Sequence, residues 1–423
     1  MQIAPTLRLK ASGASETTGA IFFFVLRFSP PRVRSVPVSS PLPIPVHLHA
    51  QLPVRRPVKI WHVGSSFSPQ KVCGVNNSVW LLAAYQAQLG CDVSVVVDPA
   101  PDDAARALAQ KSGFEIIHLP SNRWRYDPSV LDPILRDRPP QVVHMHSVFI
   151  PKQAALARAL VRCGIPYLVS PRGGLDFRRS RLQKLVYSAL IEKKRFREAA
   201  AVTLLMPKEE EAVRAFVPGY DKPVRCLLNP IEPNHREGDR WQSHPETKRV
   251  VFLGRFDVVH KGIDILVDIA RHLEDVEFHL YGSKESKSEH VLEELQRNLP
   301  PNVYFHEPVF GDAKNEVLTH ASLYIQASRW EGFGRSIAEA MYLGVPCAVS
   351  ETINFAEMFR EKDLGVVFPP EPKGAAESIA KAIENPDRLQ DWSERGREFA
   401  RSHFQPEAVA AGFIRLYEEV AGI

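Results

Sequence analysis

Between Ser328 and Ser350 the chain reads SRWEGFGRSIAEAMYLGVPCAVS, and seven residues separate Glu331 from Glu339. Gly332 and Gly334, on either side of Phe333, let the backbone turn tightly and come close to a ligand without Cβ obstruction. A helix starting near Arg335 leaves its first N–H groups free, a setting that favours phosphate or sugar hydroxyls. Glu339, one turn into that helix, suits a diol such as ribose. Two glutamates at this spacing are common; joined to Gly-Phe-Gly behind a strand they are specific.

A second segment, VFLGRFDVVHKGIDILVDIARHL, places Arg255 just past a strand and Lys261 before an amphipathic helix. Paired cations there would neutralise the charge that grows on a departing diphosphate. No Asp-x-Asp occurs in the chain, so departure is expected to need no metal and no cofactor. Nearer the N-terminus, Gly74 marks a strand-to-helix turn. His144 and His146 end a strand on one side of it, by alternation. His146, facing a cleft, suits a sugar hydroxyl; a metal would need a third ligand, for which no candidate is evident. The segment SPRGGLD follows the next strand, and Arg172 and Gly173 are assigned to the acceptor side.

The elements that must carry these residues form two series. From Pro57, short β-branched runs alternate with stretches of helical periodicity, the mark of parallel α/β domains. Strands are expected at 58–63, 93–97, 115–118, 141–144, 167–170, 202–205 and 224–228. A polar, proline-rich stretch to Arg249 reads as a linker. A second series begins with RVVFLGR and continues with strands at 276–281, 303–306, 323–327, 346–350 and 365–368, with helices at 263–273, 335–343 and 375–383. The expectation is two Rossmann-like domains facing across a cleft, 57–230 and 231–404, each binding ligand at the carboxyl ends of its strands.

From Pro57 to Ile423 the chain resembles family 4 of the retaining glycosyltransferases, which have the GT-B fold. LGR…HKG looks like that family's diphosphate-binding Arg and Lys, here Arg255 and Lys261. EGFGRSIAE looks like its paired-glutamate motif. The resemblance implies that Glu331 touches the donor hexose, Glu339 the nucleotide ribose, and His146 the reacting sugar. Glu331, His146, Arg255 and Lys261 would then be catalytic, and Gly74, Gly332, Phe333, Gly334, Arg335 and Glu339 would line the donor. It also implies that residues 405–423 cross back onto the first domain. Two departures stand out: Cys73 precedes a single Gly74 where the family has paired glycines, and Asn229–Pro230 stands at the hinge where it has Asn-Gly. The implied activity is transfer of a hexose from a nucleoside diphosphate sugar to a glycan or polyprenyl-linked acceptor in cell-surface polysaccharide synthesis. A sugar-nucleotide epimerase or a non-catalytic sugar-nucleotide-binding protein remains the alternative.

Composition sets the remaining bounds. The chain has 423 residues, 44% of them hydrophobic and 24% charged, as in a globular protein with a self-sufficient core. Five scattered cysteines with no CxxC pair suggest reduced thiols in a cytoplasmic protein. Residues 1–56 hold seven Lys/Arg against Glu16 and eight prolines, and read as a disordered or misassigned tail outside the fold. The balanced charge of the rest argues against a nucleic-acid partner. Phe177 to Arg197 carries eight Lys/Arg and one acid. It is read as a helix with an apolar stripe that includes Leu190 and Phe196, and its basic face would suit peripheral contact with anionic lipid at the inner face of a membrane.

Overall fold

A computed structural model describes residues 57–70, 74–175, 187–232, 238–243, 246, 248–286 and 288–423. The tail 1–56, Cys73 and the first half of the basic segment lie outside the described residues.

The first lobe is a seven-stranded sheet: β1 (Lys59–Val63), β2 (Asp92–Val97), β3 (Glu115–His118), β4 (Val142–His146), β5 (Tyr167–Ser170), β6 (Ala201–Leu204) and β7 (Val224–Cys226). Their spatial order is β3-β2-β1-β4-β5-β6-β7, and every pairing is parallel. The second lobe holds β8 (Arg249–Leu253), β9 (Glu277–Tyr281), β10 (Val303–His306), β11 (Leu323–Gln326), β12 (Cys347–Ser350) and β13 (Gly365–Phe368), ordered β10-β9-β8-β11-β12-β13, again all parallel. Central strands covered on both faces are mostly apolar, and VVHMH, YLVS and CAVS are buried throughout.

In each sheet the chain reverses its direction of travel beside the first strand, between β1 and β4 and between β8 and β11. A crevice opens at the carboxyl ends of such a pair. His62 pairs in register with His144 across the first switch point.

Apolar side chains pack on both faces of the first sheet. One face is sealed by the last helix, Pro406–Ala421, whose Val409, Ala410, Phe413, Leu416 and Tyr417 join Val58, Ile60 and Trp80 in one core. The chain thus returns to its first lobe, as the resemblance implied. The polar stretch after Leu228 is pinned at two points: Ile231 N–H donates to Phe404 O (2.9 Å), and buried Trp241 donates its indole N–H to Ala321 O (2.6 Å). These described residues are thus tied to the second lobe.

The basic segment departs from its expected form. Its described part is a π-helical turn, Ser188–Glu192, running into the short helix Lys193–Glu198. Leu190 is 72% exposed, outside any buried stripe. Arg195 is buried, bonded to Glu192 (2.6 Å), Gln153 (2.7 Å) and Ser147 O (3.0 Å), and so leaves the basic face. Among the described residues no helix is long and apolar enough to cross a membrane.

Candidate active site

The second-lobe half of the site is assembled from the turns that follow β8 and β11. After β8, Asp257 caps a single helical turn, Val258–Lys261, by accepting from His260 N–H (3.0 Å). Gly262 ends that turn at φ 67°, and a Cβ there would sit 2.2 Å from Ala327 O, so only glycine fits. The turn is then fastened to the loop after β11. His260 stacks on Trp330 with ring centroids 4.6 Å apart. Arg329 grips Asp264 with both nitrogens (2.9 and 2.7 Å) and donates its backbone N–H to His260 O (3.0 Å).

These fastenings bring Lys261 Nζ to 2.5 Å from Glu331 Oε2, with both side chains largely shielded from solvent. Screening is weaker there than for a surface pair, so the contact fixes the two side chains on each other. Eight residues on, Glu339 accepts from Arg335 (3.0 Å) and from Lys314 (3.0 Å), the latter on the helix Gly311–Thr319. Gly334 starts the helix Arg335–Leu343 with no side-chain cap; the Arg335 N–H donates to Phe333 O (3.0 Å), so a ligand would meet the amides that follow, at Ser336 and Ile337.

Two residues expected to meet the donor from this lobe sit differently from that role. Phe333 points inward, its ring against Phe355 and Phe404 (centroids 5.4 and 5.7 Å). It anchors the loop, so any donor contact there would have to come from its backbone. Arg255 is exposed and ion-paired with Glu285.

The first lobe meets this loop backbone to backbone. A Cβ on Gly173 would lie 3.0 Å from Gly332 Cα, and one on Gly332 would lie 3.3 Å from Arg172 O. Arg172 and Gly173 both have left-handed backbones, at φ 55° and 75°. The Arg172 guanidinium turns inward, donating to Asn229 at the hinge and to His146 Nδ1 (2.9 Å). Burial lowers its pKa to about 10. Gly74, the remaining donor-side residue, opens the helix Gly74–Gln88.

His146 is fully buried, not open to the cleft, and it belongs to a cluster. His62 Nδ1 lies 3.0 Å from His146 Nε2, and His62 Nε2 lies 2.7 Å from Gln86 Oε1. His144 is held between Tyr417 OH (2.7 Å) and Ser170 Oγ (2.6 Å). Burial is the main cause lowering all three histidine pKa values, that of His62 to about 4, so the rings are neutral. His62 thus supplies the third ring missing from the sequence reading, with one ligand atom from each histidine within 4.8 Å of the others. The bonds above occupy the ring nitrogens, and a guanidinium abuts the group.

Glu209 closes the junction between lobes. It opens the helix Glu209–Phe216 and accepts from Asn354 of the second lobe (3.5 Å). Burial raises its pKa to about 7, while hydrogen bonding with the Leu205 backbone and the charge of Arg172 pull the other way.

Known proteins share this architecture. The model for glycosyl transferases group 1 matches residues 235–399, and the model for the glycosyl transferase 4-like domain matches residues 73–230. A phosphatidyl-myo-inositol mannosyltransferase of Mycobacterium leprae is 26% identical over 202 residues, 45% of this chain and 53% of that protein. The chain therefore spans about half the length of the curated relatives it matches. Sucrose-phosphate synthase from Thermosynechococcus elongatus superposes with a TM-score of 0.70 at 18% identity, covering 87% of this chain and 100% of that one. HepE from Anabaena, solved with UDP and glucose, superposes with a TM-score of 0.67 at 17% identity, covering 86% of this chain and 100% of that one. At such identities the structural likeness shows the fold.

Proposed function

The chain belongs to the group 1 glycosyl transferases, the family 4 type with the GT-B fold, and on that basis we propose that it moves a hexose from a nucleoside diphosphate sugar to a glycan or lipid-linked acceptor with retention of configuration. The observation that carries this reading is the Lys261–Glu331 contact of 2.5 Å beside the uncapped start of the helix at Arg335. A cation and a carboxylate paired at the mouth of the cleft are ready to exchange partners. The donor's diphosphate takes the ammonium and the free amides, while Glu331, released, accepts from a sugar hydroxyl. Arg255 swings from Glu285 to the same diphosphate. Glu339, steadied by Arg335 and Lys314, receives the ribose diol.

The acceptor hydroxyl then attacks from the face that the diphosphate leaves. A phosphate oxygen takes the proton, and the protein provides neither nucleophile nor base. The charge that develops on the leaving group is met by Lys261, Arg255 and the helix start, an arrangement that needs no metal. Cell-surface polysaccharide synthesis is the proposed setting, at the inner face of the membrane.

A panel of nucleoside diphosphate sugars tests the reading. One donor should raise the melting temperature and release its nucleoside diphosphate faster when acceptor glycans are added. A panel with no shift, or a sugar product whose yield ignores acceptor, would overturn it.

A further inference from the structure

Three neutral donors and acceptors in line leave no freedom in where their protons sit. A guanidinium only donates, so His146 Nδ1, 2.9 Å from Arg172 Nη2, must accept. A neutral imidazole carries one N–H, so His146 bears it on Nε2 and donates across 3.0 Å to His62 Nδ1. His62 must then be protonated on Nε2, and it donates to Gln86 Oε1 at 2.7 Å. The chain of bonds runs one way, from the Arg172 guanidinium to an amide oxygen on the helix Gly74–Gln88. Every ring in it is fully buried, so water has no access to offer another partner.

We infer that His62 is a positioning residue for the transfer reaction: by accepting from His146 Nε2 it gives the tautomer that Arg172 demands its buried partner, and so steadies Arg172 and the turn against which the donor loop rests. The inference rests on the transferase reading above. Its consequence is geometric. Arg172 is tied at one end to His146 and at the other to Asn229 of the hinge, in a left-handed backbone conformation that L side chains rarely adopt. Its carbonyl and Gly173 form the surface against which Gly332 rests. If His62 is removed as an acceptor, the Nε2–H of His146 is left buried without a partner, a cost that favours moving the proton to Nδ1. That N–H would then face the guanidinium donor, and the Arg172 side chain would lose one of its two hydrogen bonds.

Two variants separate this role from simple packing. His62→Asn keeps an acceptor, since Oδ1 falls where Nδ1 was, but leaves a cavity. His62→Leu fills the volume better and offers no acceptor. Turnover should fall at least tenfold in His62→Leu and recover most of the way in His62→Asn, while nucleoside diphosphate affinity stays within about twofold in both. If packing alone matters the order reverses, with the leucine variant the more active, and the inference fails. Histidine-selective ¹⁵N NMR on the whole protein gives a second readout, with the His146 signal identified by its loss in His146→Gln. It should show an Nε2–H tautomer in the parent protein and a shift toward Nδ1–H in His62→Leu. An Nδ1–H tautomer in the parent protein, or a tautomer unchanged by the leucine, would overturn the relay. These spectra do not depend on catalysis, so a parent protein inert toward every donor would sink the transferase reading and leave the relay to be decided by the NMR.

Discussion

Replacing Glu209 by glutamine isolates what a buried carboxyl does at the junction of the lobes. In the unfolded chain this group ionises near its ordinary value of 4.5, and in the folded protein burial holds it protonated to about 7. Between those values the folded state binds more protons than the unfolded one. Stability from this group is therefore complete below about pH 4.5 and is lost as pH rises through 7. Each pH unit in that window is worth about 1.4 kcal/mol, so the full penalty approaches ~3 kcal/mol, of which ~1 has accrued at about pH 5. Glu209→Gln keeps the side chain's shape and removes the charge. Its stability relative to the parent protein should thus improve by about 2 kcal/mol between about pH 5 and about pH 8. Urea unfolding followed by tryptophan fluorescence across that range measures the difference directly. A gap that stays constant with pH would show that Glu209 ionises in the folded protein as it does in water, and that its burial among Arg172, Gly173 and Asn354 has been misjudged.

Two further substitutions probe the second lobe. Glu285→Gln frees Arg255 from an exposed ion pair, a contact worth at most about 1 kcal/mol, so donor affinity measured by calorimetry should tighten by roughly two- to fivefold; weaker binding would assign Glu285 to the donor site itself. Gly262→Ala forces a side chain into a left-handed turn at φ 67° and against Ala327 O. It should lose at least about 2 kcal/mol of stability in denaturant titration, and a parent-like midpoint would mean that the turn carrying Lys261 is not constrained as described.

Much of this was legible in the residues because the signals are local. Strand periods give the thirteen strands of the described residues to within a few positions, since a parallel strand covered on both faces is mostly apolar. Lys261, Glu331 and Glu339 sit in short segments whose glycines and flanking strands announce a ligand site. Alternation along β4 put His144 and His146 on one side. What escaped notice depends on which strands become neighbours. His62 lies 84 positions from His146, and only the β1–β4 pairing brings them together. Lys314 and Glu285 reach the site from helices and loops with no motif of their own. The resemblance puts Phe333 among the donor residues, but an aromatic in such a loop must bury its ring somewhere, and here the second-lobe core receives it. Trp241 was the overlooked clue in the linker, since a lone indole in a polar stretch needs both a pocket and a partner for its N–H.

The claim beneath the proposed mechanism is that the Lys261 ammonium, held ready by Glu331, stabilises the departing diphosphate. Steady-state kinetics of Lys261→Ala with the donor found in the panel address it most directly. A folded variant whose kcat/KM has dropped by roughly 10²–10³ is the outcome expected for one lost charge contact in the transition state. A variant that turns over donor at nearly the parent rate would place the leaving-group stabilisation elsewhere.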